Sequence, residues 1–469
     1  MRNVTRLLSV VLVTLMIMAL AACGGTPAAT TQGAPNTEAK ADESAKTDDT
    51  GEPAPSAAAG GKAALLTWTN PGTVKWLNGL AARLLDATGV TLEISDIDTN
   101  NHVQTRQTRL MANDIDIITY EGGFLNPQEE WNAAMYEMPD WQKYVEAGLF
   151  LDITDEPFME NWDLELMTNA YGYKGRIYGL MGGSIPLNGV FYNIDRFNEL
   201  GLEIPQTWDD FIALCEAIKA AGHQPITNGG GDQWPLNMFA GLVATNYLMD
   251  EDGAIGRALF LGEKKFTDPD IIELYKAREQ FASYMEPGVT GVPYSDVYGR
   301  FATEKALMLA DGSWAAGDVE AANPSFEYSY FPLPGKTVRD DGLIHQMGAK
   351  FDFAMVIATD SPNKEAALKV FEFFSSKEEY PNFVEEVGFY PAQPNVQYNN
   401  EFLKSMEPYM EKARGNFTIL TPKGTGEYGG NGGCNMFLLS VLGGPFSAEQ
   451  LADEAQKDWD AARAANAAQ

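Results

Sequence analysis

Residues 63–120 alternate between two hydrophobic patterns. Ala64-Leu65-Leu66-Thr67-Trp68 reads as a short strand. Thr73 to Ala87 reads as a helix, with Trp76, Leu80 and Leu84 at fourfold spacing and Gly89 as its stop. Val90 to Ile94 is a second strand, Val103 to Asn113 a second helix, and Ile115 to Thr119 a third strand. This β-α-β-α-β order predicts a parallel sheet with helices on its faces. Ligands of such sheets bind beyond the carboxyl ends of the strands. Trp68-Thr69-Asn70 and Tyr120-Glu121-Gly122-Gly123 occupy those ends.

The rest of the chain continues the alternation. Val190-Phe191-Tyr192 reads as a strand, and Trp208 to Ala221 as a helix opened by Thr207 with Asp210 three residues on. Residues 270–286 and 296–306 read as helices and Ala354 to Ala358 as a strand. Ser361-Pro362 opens a helix whose Ala367, Val370, Phe371 and Phe374 share a face. A last helix opens at Ser447 with Gln450 at its third position. No repeat of fixed period is present.

Charge and the N-terminus set the compartment and exclude some partners. The 469 residues carry 33 Lys+Arg against 65 Asp+Glu, a net charge of −32. That balance argues against nucleic acid as a partner, since phosphate binding needs clustered cations. At the start, Arg2 and Arg6 precede an apolar run from Leu7 to Leu20, too short to span a bilayer but suited to a signal peptide. It ends in Leu20-Ala21-Ala22-Cys23-Gly24, which resembles a bacterial lipobox; the expectation is cleavage after residue 22 and lipid on Cys23. Residues 24–62 hold no large aliphatic or aromatic residue and read as a flexible tether. Cys215 falls on the apolar face of its helix with Phe211, Leu214 and Ile218; a disulfide to Cys434 remains open. No metal is expected, because the three His (His102, His223, His345) are scattered and no Cys-x-x-Cys occurs. Asp96-Ile97-Asp98-Thr99-Asn100 begins like a calcium loop, but Asn101 stands for the turn Gly and Gln107 for the final Glu.

From about residue 63 onward the chain resembles the extracellular solute-binding proteins of sugar-import ABC transporters, the group that includes maltodextrin-binding proteins. The most specific stretch runs from Phe191-Tyr192-Asn193 through Leu200-Gly201 to Pro205-Gln206-Thr207-Trp208-Asp209-Asp210-Phe211. Weaker matches lie in order around it: Asp116-Ile117-Ile118, Leu149 to Thr154, Tyr173 to Leu180, and Phe301 to Trp314. Met181 departs from the family's Pro. The resemblance implies a periplasmic-binding-protein-like α/β fold, two lobes around a ligand cleft joined by a hinge. It places residues 63–183 and 312–361 in lobe 1 and residues 184–311 and 362–469 in lobe 2. The implied function is a lipid-anchored, extracytoplasmic substrate-binding component that captures a carbohydrate and delivers it to a membrane permease, as a monomer without cofactor.

A pyranose offers an apolar face to an aromatic ring and an edge of hydroxyls to paired donors and acceptors. Trp68 is the first-lobe candidate for stacking, or else a residue capping its strand; Asn70 lies beside it. Tyr120 matches a stacking aromatic of the maltodextrin-binding members, and Glu121 would accept two hydroxyls, or else the position is a solvated loop rim. Trp234 lies in a Gly-rich loop, facing the ligand or buried between elements. Asp311 and Trp314 occupy a lobe crossing, where Trp314 matches a family Trp that stacks on sugar. Lys350 and Asp352 stand at a strand end, as ligand contacts or as an ion pair. Trp208 is assigned to helix packing.

Two other readings stay open. One is a secreted lipoprotein that senses another small solute: a polyol, a sugar acid or a peptide. The other is a carbohydrate-active enzyme, which needs two carboxylates about 5–10 Å apart. Against catalysis, the chain has no Gly-x-Ser-x-Gly, no phosphate loop ending in Gly-Lys-Ser/Thr, and no His-Glu-x-x-His.

Overall fold

The first strand begins at Lys62, and its register fixes the sheet around it. The computed structural model describes residues 60–121, 130–186, 189–248, 253–338, 348–410, 414–415, 420–433 and 435–468. The signal sequence, Cys23, nearly all of the tether and Cys434 lie outside these residues.

The strands are β1 Lys62–Trp68, β2 Thr91–Ile97, β3 Ile117–Tyr120, β4 Gly172–Tyr173, β5 Arg176–Ile177, β6 Leu180–Pro186 and β7 Gly189–Asn193. They continue with β8 Ile226–Thr227, β9 Met308–Ala310, β10 Tyr328–Pro332, β11 Gly348–Ile357, β12 Tyr390–Pro391 and β13 Arg414–Gly415. One sheet has the order β12-β6-β11-β3-β1-β2, with β13 also on β11. A second sheet has the order β10-β7-β9-β8. These are the sheets of the two α/β lobes.

The expected β-α-β-α-β unit is present. β1 runs parallel to both β2 and β3, with Leu65 opposite Ile94 and Ile117. The intervening helices are Pro71–Thr88 and Thr99–Ala112. The first buries Trp76, Leu77, Leu80 and Leu84, and ends on Gly89 at φ 74°, a conformation cheap only for glycine. The second starts four residues before the expected Val103, because Asp98 caps it by accepting from Asn100 N. The calcium-like run is thus a strand end followed by a helix cap: Asp96 accepts from Thr69 Oγ1 at 3.0 Å. The sheet is mixed rather than all parallel, since β11 pairs antiparallel with both β3 and β6.

Sheet membership divides the chain differently from the expected lobe boundaries. β10 falls within the segment expected in lobe 1, yet it pairs with β7 in the second sheet, Tyr330 opposite Phe191. The segment after Trp314 therefore stays with the second sheet through Pro332. β11 returns the chain to the first sheet. The helices Lys364–Phe374 and Tyr380–Val387, expected in lobe 2, pack on β1 and on the Pro71–Thr88 helix. β12 then pairs with β6. Only after it does the chain rejoin the second sheet, where the Glu401–Met410 helix packs against β10. Strand registers cause these shifts: a crossing happens where a strand changes sheet, not where a motif is recognised.

Both capping boxes read from the sequence are made. Thr207 and Asp210 cap the Trp208–Ala220 helix, and Ser447 and Gln450 cap Ala448–Ala467. Trp208 is buried and donates to Gln280 Oε1 at 3.0 Å, a packing position. Cys215 is fully buried on the inner face of its helix, and burial pushes its thiol pKa up.

Candidate ligand cleft

Trp68 closes β1 half-buried, edge-on to His102 at 5.5 Å and to Phe353 at 6.2 Å. Phe353 takes φ 54° in the middle of β11, a costly conformation for a bulky residue. It is flanked by Asp352, whose Oδ1 accepts from Phe353 N at 2.9 Å. Asp352 is buried, opposite Gly183 of β6. Lys350 pairs through its backbone with Ile185, and its side chain lies outside the described set.

Asn70 is occupied on both ends of its amide. Its Oδ1 accepts from Thr73 N at 2.8 Å, capping the Pro71–Thr88 helix. Its Nδ2 donates to Asp318 Oδ2 at 2.9 Å. Tyr120 is only 3% exposed. The Arg106 guanidinium lies 4.0 Å from its ring centroid and Phe150 packs edge-on at 5.6 Å. An open stacking face was expected at Tyr120; Arg106 occupies that ring, because the strand end turns it inward beneath the Thr99–Ala112 helix. Glu121 is the half-exposed member of the pair. Its Oε2 accepts from Arg106 Nη1 at 2.9 Å, and His102 Nδ1 stands 3.7 Å from its Oε1. Burial pushes the Glu121 carboxyl up, but His102 and the Arg106 cation outweigh it and hold the pKa at about 2. Glu121 is therefore an oriented anion across the physiological range.

The second lobe gathers aromatic residues. Trp234 packs edge-on to Tyr294 at 4.6 Å and lies 6.4 Å from Trp314. Trp314 Nε1 donates to the Tyr294 hydroxyl at 2.7 Å. Gln233, directly before Trp234, has φ 61°. Asp311 lies at the end of β9, 1% exposed, with Oδ1 accepting from Gly312 N at 2.8 Å. Burial raises its carboxyl pKa well above the usual carboxylate range. Asn100 Nδ2 of the first lobe donates to Asp232 Oδ1 of the second at 2.6 Å. Asp232 Oδ2 in turn accepts from Tyr294 N at 2.6 Å.

The structure thus joins Trp234 to Trp314 through Tyr294, and Glu121 to Tyr120 through Arg106. Sequence reading missed Tyr294, Arg106, His102, Asp232 and Asp318. His102, Arg106 and Leu110 are the buried residues of the Thr99–Ala112 helix. Their fourfold spacing, polar residues on an inward face, was a legible signal. Tyr294 carried none, since it opens a three-residue 3-10 turn, Tyr294–Asp296. A cavity of about 660 Å³ opens elsewhere, beside Phe326, Tyr328, Val387 and Phe402, and touches none of the expected residues. Among the described residues no helix is long and apolar enough to cross a membrane.

Comparison with known proteins agrees with this architecture. The multiple sugar-binding protein of Streptococcus mutans is 28% identical over 247 residues, 50% of this chain and 56% of its own length. The chain spans about half the length of the curated relatives it matches. Two solved structures share the fold. RafE in complex with raffinose has a TM-score of 0.67 at 18% identity, over 86% of this chain and 99% of RafE. A sugar transporter protein of Bacillus licheniformis in complex with stachyose has a TM-score of 0.65 at 19% identity, over 86% of this chain and 100% of its own. The model of the family described as bacterial extracellular solute-binding protein matches residues 70–381. With two α/β lobes and a family match across most of the folded chain, this protein belongs to the bacterial extracellular solute-binding protein family.

Proposed function

We propose that this chain is the substrate-binding component of an ABC importer, and that it captures a carbohydrate between its lobes and delivers it to a membrane permease. The chemistry of two side-chain groups, one on each lobe, supports the reading. Trp234 and Trp314, oriented by Tyr294, supply flat apolar faces. Glu121, held by Arg106, supplies a fixed anionic acceptor. A pyranose needs both. Trp68 and Asp352 line the first-lobe side in this reading, and closure adds contacts from the second lobe, which is what shifts the open–closed balance. Asn70 serves by capping and bridging rather than by touching sugar. Neutral mono- or oligosaccharides are the expected class; an enzyme acting on the same class is the reading to be excluded.

The proposed anchor is lipid on Cys23, with residues 24–62 as the tether. Replacing Cys23 with Ser should move the protein from the membrane to the soluble fraction of its host. Retention in the membrane would end the lipoprotein assignment.

The functional test is a thermal-shift screen of the purified chain against sugars, polyols, sugar acids and peptides. A sugar at a hundred times its dissociation constant adds about 2.7 kcal/mol to stability. A stabilising sugar recovered intact supports the importer. A sugar that is consumed points to an enzyme, and a response confined to peptides or polyols removes the carbohydrate assignment.

A further inference from the structure

We propose that Asp318 is a positioning residue, which holds the chain at the end of the Trp68-bearing strand of the first lobe against the Trp314-bearing segment of the second. Asp318 lies on the short helix Ala316–Ala321, just after Trp314, and is 3% exposed. Its Oδ1 accepts from Gly72 N at 2.6 Å and its Oδ2 from Asn70 Nδ2 at 2.9 Å. Asn70 follows Trp68 by two residues and caps the Pro71–Thr88 helix. One carboxylate therefore bonds the start of an 18-residue helix from the far side of the cleft floor. Free N–H groups and the helix dipole both favour an anion at that place.

The approach is close because glycines face each other there. A Cβ on Gly72 would meet Asp318 Oδ1 at 3.3 Å and the Gly317 carbonyl carbon at 3.5 Å. A Cβ on Gly317 would stand 3.8 Å from Gly72 Cα. The Ala316–Ala321 helix also packs on the Val297–Ala302 helix, whose neighbour Tyr294 holds the Trp314 indole. The two aromatic-bearing segments are about 246 residues apart in sequence, so no local geometry sets their spacing. Burial pushes the Asp318 carboxyl up to about 6, against the pull of the Gly72, Tyr298 and Asn70 hydrogen bonds.

This inference rests on the cleft of the preceding reading, and its test separates the two. Hydrogen exchange of the sugar-free chain is compared for wild type, Asp318→Ala, Asp318→Asn and Arg83→Ala. Arg83 lies on the same helix and pairs with Glu379 within the first lobe, so it controls for general loosening. Losing bonds to a charged acceptor should speed exchange about tenfold or more, both at the first turn of Pro71–Thr88 and across Gly312–Ala321. Asp318→Asn, which keeps one acceptor, should restore part of the protection. Arg83→Ala should leave both segments unchanged. In calorimetry with raffinose as probe, Asp318→Ala should weaken binding about tenfold, with Arg83→Ala near wild type. A lower melting temperature with unchanged exchange in either segment would overturn the proposal, as would unchanged raffinose affinity where wild type binds. If wild type takes no raffinose, the exchange comparison decides alone.

Discussion

Replacing Tyr294 with Phe removes one hydroxyl and leaves the ring. The ring keeps its 4.6 Å edge contact with Trp234 and its 5.6 Å contact with Tyr298. Its backbone N–H still donates to Asp232. What is lost is the acceptor for Trp314 Nε1–H at 2.7 Å. A hydrogen bond of this kind contributes about 0.5–1.5 kcal/mol net. If it orients the Trp314 indole for stacking, sugar affinity should fall about threefold to tenfold, since about 1.4 kcal/mol is a factor of ten. Global stability should fall by no more than the same bond, about 1 kcal/mol. Calorimetric titration with the sugar found by screening measures the first; urea melts measure the second. Tryptophan emission should also shift, because the indole loses its partner. Unchanged affinity together with unchanged emission would refute the idea that Tyr294 aims Trp314. An affinity loss accompanied by several kcal/mol of destabilisation would place Tyr294 in the core instead.

Two further outcomes follow from packing and from charge. Trp76 is fully buried, with Phe383, Phe374 and Phe353 at 4.8, 5.4 and 5.6 Å; Trp76→Ala should cost about 3–5 kcal/mol in denaturant melts, and a cost below about 1 kcal/mol would contradict this packing. Glu121 has its pKa held at about 2, below its ordinary value of 4.5, so its contribution is present above about pH 4.5 and lost as pH falls toward 2. The stability difference between wild type and Glu121→Gln should accordingly be largest above pH 4.5 and shrink toward pH 2, and a difference flat across that window would remove the Arg106–Glu121 pairing from the account.

Much of the cleft was legible only as a set of places. The strand ends after Trp68 and Tyr120 were readable because strand and helix periods are local. What each side chain does there was not. Tyr120 and Glu121 are neighbours in sequence, yet one is buried under Arg106 and the other half-exposed. Both meet Arg106 of the Thr99–Ala112 helix, and how far each is covered depends on where that helix arrives. Asn70 was legible as a strand-end position, but its bonds to Thr73 N and to Asp318 were not.

The amino-acid order by itself determined the elements whose causes lie within a few residues. These are the β1–β3 unit with its helices, the capping boxes at Thr207 and Ser447, and the burial of Cys215 and Trp208 on helical faces. Tertiary structure alone decided three things. It set β11 antiparallel between β3 and β6, it placed β10 in the second sheet, and it joined Asn70 to Asp318, residues 248 positions apart. Those pairings are chosen by which apolar faces the whole chain can bury at once and by which buried polar groups then find partners. No window of sequence contains that information, because each partner lies far away along the chain.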